Sequence, residues 1–284
     1  MSETLVLGAV AYDPKVVTIW DGFQKWFAEK GLDFDYILYS NYERQVEGQF
    51  AGHFHVAWNS PLAWLQAHRI AARTGRTIEA IAMRDTDCDL TSVIVVRRDS
   101  LIQSIEQLRG KTVAVGASDS PQATLIPLAH LAEAGLDPEK DFTVRTFDIL
   151  IGKHGDHIGG ERHAAKALIE GTVDAACMID GNHLLFSREG TIPVNSTRIL
   201  AQTDEYDHCN FTVLDGAPEK TIAHFRELLL SMSYDDPQVR PLLDLEGLKV
   251  WRPGRTEKYA LLTRAIDRFD TIDAFVTTIS KSYA

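Results

Sequence analysis

Residues 152–163, reading GKHGDHIGGERH, place three histidines, an aspartate, a glutamate and four glycines within twelve positions. Histidine is the side chain most easily tuned for proton transfer or metal ligation near neutral pH. His154, Asp156, His157 and Glu161 follow the pattern H-x-D-H-x3-E. Two imidazoles and one carboxylate can hold iron in a facial site, or zinc with one position left open. The spacing matches no established metal fingerprint, so direct hydrogen bonding of these groups to an organic anion competes with the metal reading. In a catalytic version, His154, His157 and Glu161 serve as acid/base groups or ligands, while His208 and Asp180 orient a substrate. The bland alternative is a solvated loop. Glu161 would then stand at a helix start only because a carboxylate complements the helix dipole there.

Such a loop needs elements to aim it. A strand is expected over Phe142–Phe147 before it and a helix over Ala164–Glu170 after it. The first ninety residues repeat one grammar three times. An apolar run (Leu5–Val10, Phe34–Leu38, Phe54–Trp58) leads to a polar cluster and then to an amphipathic segment. Asp13, Asn41 and Ser60 are the expected helix caps, and Pro14 and Pro61 suit first helical positions. Alternating strands and helices imply a parallel sheet, whose strand-to-helix loops share the carboxyl edge where ligands bind. Tyr12, Tyr42, Asn59 and Ser60 are therefore ligand candidates.

A second α/β series follows. Strands are expected over Ser92–Arg98, Thr112–Gly116 and Val173–Met178, and a helix over Ala123–Ala134 closed by Gly135. Its polar loops supply Ser120, Gln122, Asp180 and His183 as further ligand candidates. Ile199–Thr203 and Cys209–Leu214 read as later strands, and helices are expected from near Pro218, Pro237, Thr256 and Thr271. With no low-complexity linker, the two sheets are expected to interleave. Residues 1–90 with 205–284 form one lobe and 91–204 the other, with hinge crossings near 87–92 and 203–210. The aromatic spacing of Trp20, Phe23, Trp26 and Phe27 indicates core.

Bulk composition narrows the function classes. The chain has 284 residues, a formal net charge of −11 and 45% hydrophobic residues. Its negative charge argues against nucleic acid as a partner, and an anionic ligand would need a locally positive pocket. No apolar run reaches the roughly 20 residues of a membrane span. Three cysteines fit no disulfide framework. With neither a basic n-region nor a cleavage site at the N-terminus, a cytoplasmic location is expected, or a periplasmic one if a signal peptide has been removed.

The order of signals resembles a known family. Tyr42 heads a helix ending at Gln49, followed by HVAWNSPLAWLQA (His55–Ala67), SVIVVRRDSLIQSIEQLRGKTVAVG (Ser92–Gly116) and SPQATLIP (Ser120–Pro127). AGLDPEKDF (Ala134–Phe142) and ALIEGTVDAAC (Ala167–Cys177) complete it. Together they resemble the type 2 periplasmic-binding-protein fold, within it the phosphonate-binding solute-binding proteins of ABC importers. The resemblance implies two interleaved α/β lobes and a cleft between them that takes a small polar or anionic metabolite. It also implies an importer permease as partner if the protein is exported. The family's phosphonate cradle is a Ser-Thr-Ser-Gly run at a helix start, matched here by Ser120, Pro121, Gln122 and Ala123. Two hydroxyls are lost and Pro121 removes a backbone donor. Some cytoplasmic enzymes share the fold, so an enzyme using the 152–163 loop, with iron or zinc as possible cofactor, is the alternative.

Overall fold

The structure is a computed structural model and describes residues 4–138, 140–156 and 158–283. The chain opens β1 (Leu5–Val10), α1 (Lys15–Glu29), β2 (Phe34–Tyr39), α2 (Tyr42–Phe50), β3 (Val56–Asn59), α3 (Pro61–Thr74) and β4 (Ile78–Arg84). Then come β5 (Ser92–Arg97), β6 (Thr112–Val115), α4 (Ile126–Glu133), β7 (Thr143–Thr146), α5 (Gly159–Ile169), β8 (Ala175–Ile179), α6 (Asp180–Glu189) and β9 (Thr197–Gln202). It closes with β10 (Asn210–Leu214), α7 (Glu219–Ser231), α8 (Arg240–Glu246), β11 (Trp251–Pro253), α9 (Ala260–Phe269) and α10 (Asp273–Tyr283).

These elements form two compact units. The first comprises Met1–Cys88, Asp207–Tyr259 and Ile272–Ala284, and the second Asp89–Tyr206 and Ala260–Thr271. Sequence reading assigned all of 205–284 to the first lobe. In the structure α9 packs with the second unit, where Arg264 meets Glu133 of α4 and Phe269 lies against the core.

The first unit has a six-stranded sheet in the order β11-β4-β10-β3-β1-β2. β1 pairs in parallel with β2 and β3, whereas β10 runs antiparallel between β3 and β4. The core carries the expected aromatic stripe of α1. Trp20, Phe23, Trp26 and Phe27 are buried with Phe211, Phe225 and Trp251. Asn41 caps α2 by accepting from Arg44 N at 2.8 Å, and Ser60 caps α3 by accepting from Ala63 N at 3.1 Å. α1 starts one residue later than expected, with Pro14 and not Asp13 at the cap position, and Asp13 Oδ1 accepts from Lys15 N at 2.9 Å in the turn that leads into it.

The second unit has a five-stranded sheet, β7-β6-β8-β5-β9, in which β5 is antiparallel to β8 and β9. Alternation along its strands fills two cores at once. Val93, Val95, Ala114, Ala176 and Met178 join one, and Ile94, Val96, Val113, Val115 and Cys177 the other. Both faces being covered explains why these strands read as unbroken apolar runs.

Candidate functional site

In each unit the candidate residues lie on loops at the carboxyl edge of the parallel strands. On the first unit these loops follow β1, β2 and β3, and the amino end of β10 joins them, since Asn210 pairs with Asn59. Tyr12 is half-buried beneath the Lys15 ammonium, which stands 5.8 Å from its ring centre. Tyr42 is fully buried. It heads α2, immediately after the Asn41 cap. Asn59 is also fully buried, and its Oδ1 accepts from Gln45 Nε2 at 2.7 Å. Among the described residues the Asn59 Nδ2 group meets no hydrogen-bond acceptor. A buried donor left without an acceptor costs about 1–3 kcal/mol, so it marks a place where an incoming oxygen would be welcome.

The same edge carries a buried ionic cluster. Arg84, at the end of β4, donates to both oxygens of Asp87, from Nε to Oδ2 at 2.5 Å and from the guanidinium tip to Oδ1 at 2.9 Å. It also reaches Glu246 Oε1 at 3.2 Å. Burial alone would raise the Asp87 pKa, but Arg84 and the His208 hydrogen bond outweigh it and hold this carboxyl at about 2. His208 Nδ1 lies 3.3 Å from Asp87 Oδ1 and 3.1 Å from Cys209 Sγ. His208 was expected to orient a substrate; it is instead buried among these protein groups. Nearby, Arg255 grips Asp207 through two contacts of 2.7 Å.

On the second unit the loops after β6, β7 and β8 tie one another down. Gln122 Nε2 donates to Gly155 O at 2.7 Å, Gly152 N donates to Asp119 Oδ2 at 2.5 Å, and Ser118 N donates to Asp148 Oδ1 at 2.8 Å. Ser120 caps the short π-helical turn Pro121–Leu125, accepting from Ala123 N at 3.2 Å. Pro121 therefore costs this turn no bond that it needs. Gly160 allows the close approach of the 152–163 loop. A Cβ there would stand 2.7 Å from Phe147 O and 2.9 Å from Ala117 N.

Glu161 is buried in the first turn of α5, where Oε2 accepts from Ile179 N at 3.0 Å and from Asn182 Nδ2 at 2.8 Å. It thereby clamps the α5 start to the β8–α6 junction. Asp180 accepts from Thr91 Oγ1 at 3.0 Å, and His183 Nε2 lies 3.1 Å from Thr197 Oγ1. Burial lowers the His183 pKa and favours its neutral form. His154 is fully buried with φ of 50°. Asp156 is half-buried and its amide bonds Lys153 O at 2.9 Å. His157 lies outside the described residues.

Sequence reading proposed His154, Asp156, His157 and Glu161 as metal ligands. Among the described residues, His154, Asp156 and Glu161 do not converge; the trio whose donor atoms all lie within 4.8 Å is Asp87, His208 and Cys209. Asp87, Asn182, Ser92 and Tyr206 were missed. Ser92 Oγ lies 2.7 Å from the Tyr206 hydroxyl and donates to Gln122 O at 2.5 Å, beneath the loops of the second unit. The Asp85-Thr86-Asp87-Cys88-Asp89 run was a visible signal for Asp87. No periodicity flags Asn182.

Comparison with known proteins places this architecture. The family of phosphonate periplasmic substrate-binding proteins of ABC transporters matches over residues 9–259. The chain belongs to that family. Its fold is the type 2 periplasmic-binding-protein fold, as the resemblance implied. PhnD1 of Prochlorococcus marinus, solved with methylphosphonate, has a TM-score of 0.69 at 18% identity, covering 95% of this chain and 99% of that one. The aliphatic sulphonate binding protein SsuA of Escherichia coli has a TM-score of 0.60 at 16% identity, covering 95% and 87%. The tetrathionate sensor histidine kinase TtrS of Salmonella typhimurium is 34% identical over 87 residues, which are 31% of this chain and 13% of that protein. Among the described residues no helix is long and apolar enough to cross a membrane. The family is periplasmic by description, and nothing in these comparisons supports the cytoplasmic location expected from the N-terminal residues.

Proposed function

We propose that this protein captures a small oxyanion, organic or inorganic, and presents it to an importer permease outside the cytoplasmic membrane. The family match over residues 9–259 carries this reading, since it spans both units and every candidate loop. The chemistry is consistent with it. Asn59 Nδ2, the capped start of α3 at Ser60 and the capped turn at Ser120 supply donors and helix-start dipoles suited to oxygen anions. We assign ligand contact to Tyr12, Asn59, Ser60, Ser120 and Gln122, and loop positioning to Glu161, Asp180 and His183. The hydroxyls lost beside Ser120, together with the tying of Gln122 to Gly155, favour an anion other than a simple alkylphosphonate.

The enzyme alternative is not favoured, because a binder needs only donors and shape, and the buried carboxylate of Glu161 is used in holding loops. Thermal unfolding of the chain in the presence of methylphosphonate, an alkanesulfonate, phosphate, thiosulfate and tetrathionate tests the proposal. A true ligand at 100 times its Kd should add about 2.7 kcal/mol of stability, and Ser60→Ala should weaken that response. If no oxyanion shifts the transition, the reading fails; turnover of any of them would restore the enzyme.

A further inference from the structure

We propose that Asp87, His208 and Cys209 form a binding site for a thiophilic divalent cation of the zinc type, independent of the oxyanion reading. The geometry comes first. A tetrahedral ion bound through nitrogen, oxygen and sulfur at ordinary bond lengths separates its donors by about 3.3–3.6 Å. His208 Nδ1 stands 3.3 Å from Asp87 Oδ1 and 3.1 Å from Cys209 Sγ, so small side-chain shifts admit the ion. Thiolate and imidazole together select zinc-like ions over magnesium or calcium.

The surroundings hold these donors in place. The His208 amide donates to Asp87 O at 2.8 Å, and the Tyr259 hydroxyl donates to His208 O at 2.6 Å. Asn210 Nδ2 in turn donates to that hydroxyl at 2.7 Å. Arg84 grips the Asp87 carboxylate and would act as the outer partner that orients a metal-bound carboxylate. One positive charge beside a cation is adverse. In the ion-paired groups around this point, however, three carboxylates (Asp87, Asp207, Glu246) accompany two guanidiniums (Arg84, Arg255). Cys209 would enter the site as thiolate and His208 as neutral imidazole, so metal uptake expels the thiol proton and any imidazolium proton. Three protein donors leave one position for water.

The test uses the full chain, stripped by chelator and titrated with Co2+ and then Zn2+. One equivalent of Co2+ should give a thiolate-to-cobalt charge-transfer band with tetrahedral visible bands, and Zn2+ should displace it. Cys209→Ser should abolish the charge-transfer band, and His208→Gln should weaken binding on the order of 100-fold. Binding should release at least one proton to an indicator dye, a readout that needs no variant if the substitutions unfold the protein. Cobalt bound without a sulfur band, a band that survives Cys209→Ser and vanishes in Cys88→Ser, or binding with no proton release would each overturn the site. His208 Nδ1–H would then simply be shared between Asp87 and Cys209.

Discussion

The two units present their ligand-edge loops by different means. In the first unit, short neutral side chains cap the helices that follow β2 and β3, Asn41 at α2 and Ser60 at α3, and the ion pairs Arg84–Asp87–Glu246 and Arg255–Asp207 stand beside the sheet. In the second unit, carboxylates hold the loops. Asp119 takes the Gly152 amide, Asp148 the Ser118 amide and Glu161 the Ile179 amide. A loop between strand and helix needs little help when a cap sits at the first turn. Twelve residues separate β7 (Thr143–Thr146) from the start of α5 at Gly159; among the described residues no side chain caps α5, and the stretch is fastened by charge-assisted bonds instead.

Substitutions can break that contrast. The largest effect is expected in the first unit. Asp87→Ala leaves Arg84 buried without its bidentate partner and should cost about 3–5 kcal/mol in urea unfolding. The same residue gives a pH signature. Its folded pKa of about 2 lies below the ordinary 3.8, so its contribution is complete above pH 4 and is lost as pH falls through 2. Urea midpoints taken down that range should decline by an Asp87-dependent share of roughly 2 kcal/mol. A flat profile would remove Arg84–Asp87 from the account of stability.

In the second unit, Glu161→Ala strands the Ile179 amide and the Asn182 amide group, and should cost about 2–3 kcal/mol with accelerated hydrogen exchange at Ile179. Gly160→Ala pushes a methyl against Phe147 O and Ala117 N, which should cost about 1–3 kcal/mol and weaken ligand binding. Smallest is Asn41→Ala, a single cap worth about 1 kcal/mol by the same urea assay. If Asn41→Ala cost more than Glu161→Ala, the distinction between capped and carboxylate-tied loops would be lost.

Most elements follow local rules and are legible in the sequence. β4 (Ile78–Arg84, IEAIAMR) follows the Gly75 cap of α3 by two residues and lies outside the strand–helix grammar repeated before it, and β11 is three residues long. The parallel-sheet expectation missed the antiparallel β10 and β5, whose places follow from which strand edges remain open once the parallel strands have paired. The apolar spacing of α1, the caps at Asn41 and Ser60, and the family pattern were all readable from residues a few positions apart. Partners distant in the chain were not. Glu161 meets Asn182, and Asp87 meets His208, because strands from separate segments end side by side. Local periodicity thus determined the elements, while the neighbours of each buried charge were decided by the tertiary structure. A charge taken out of water must find a partner wherever the chain happens to return.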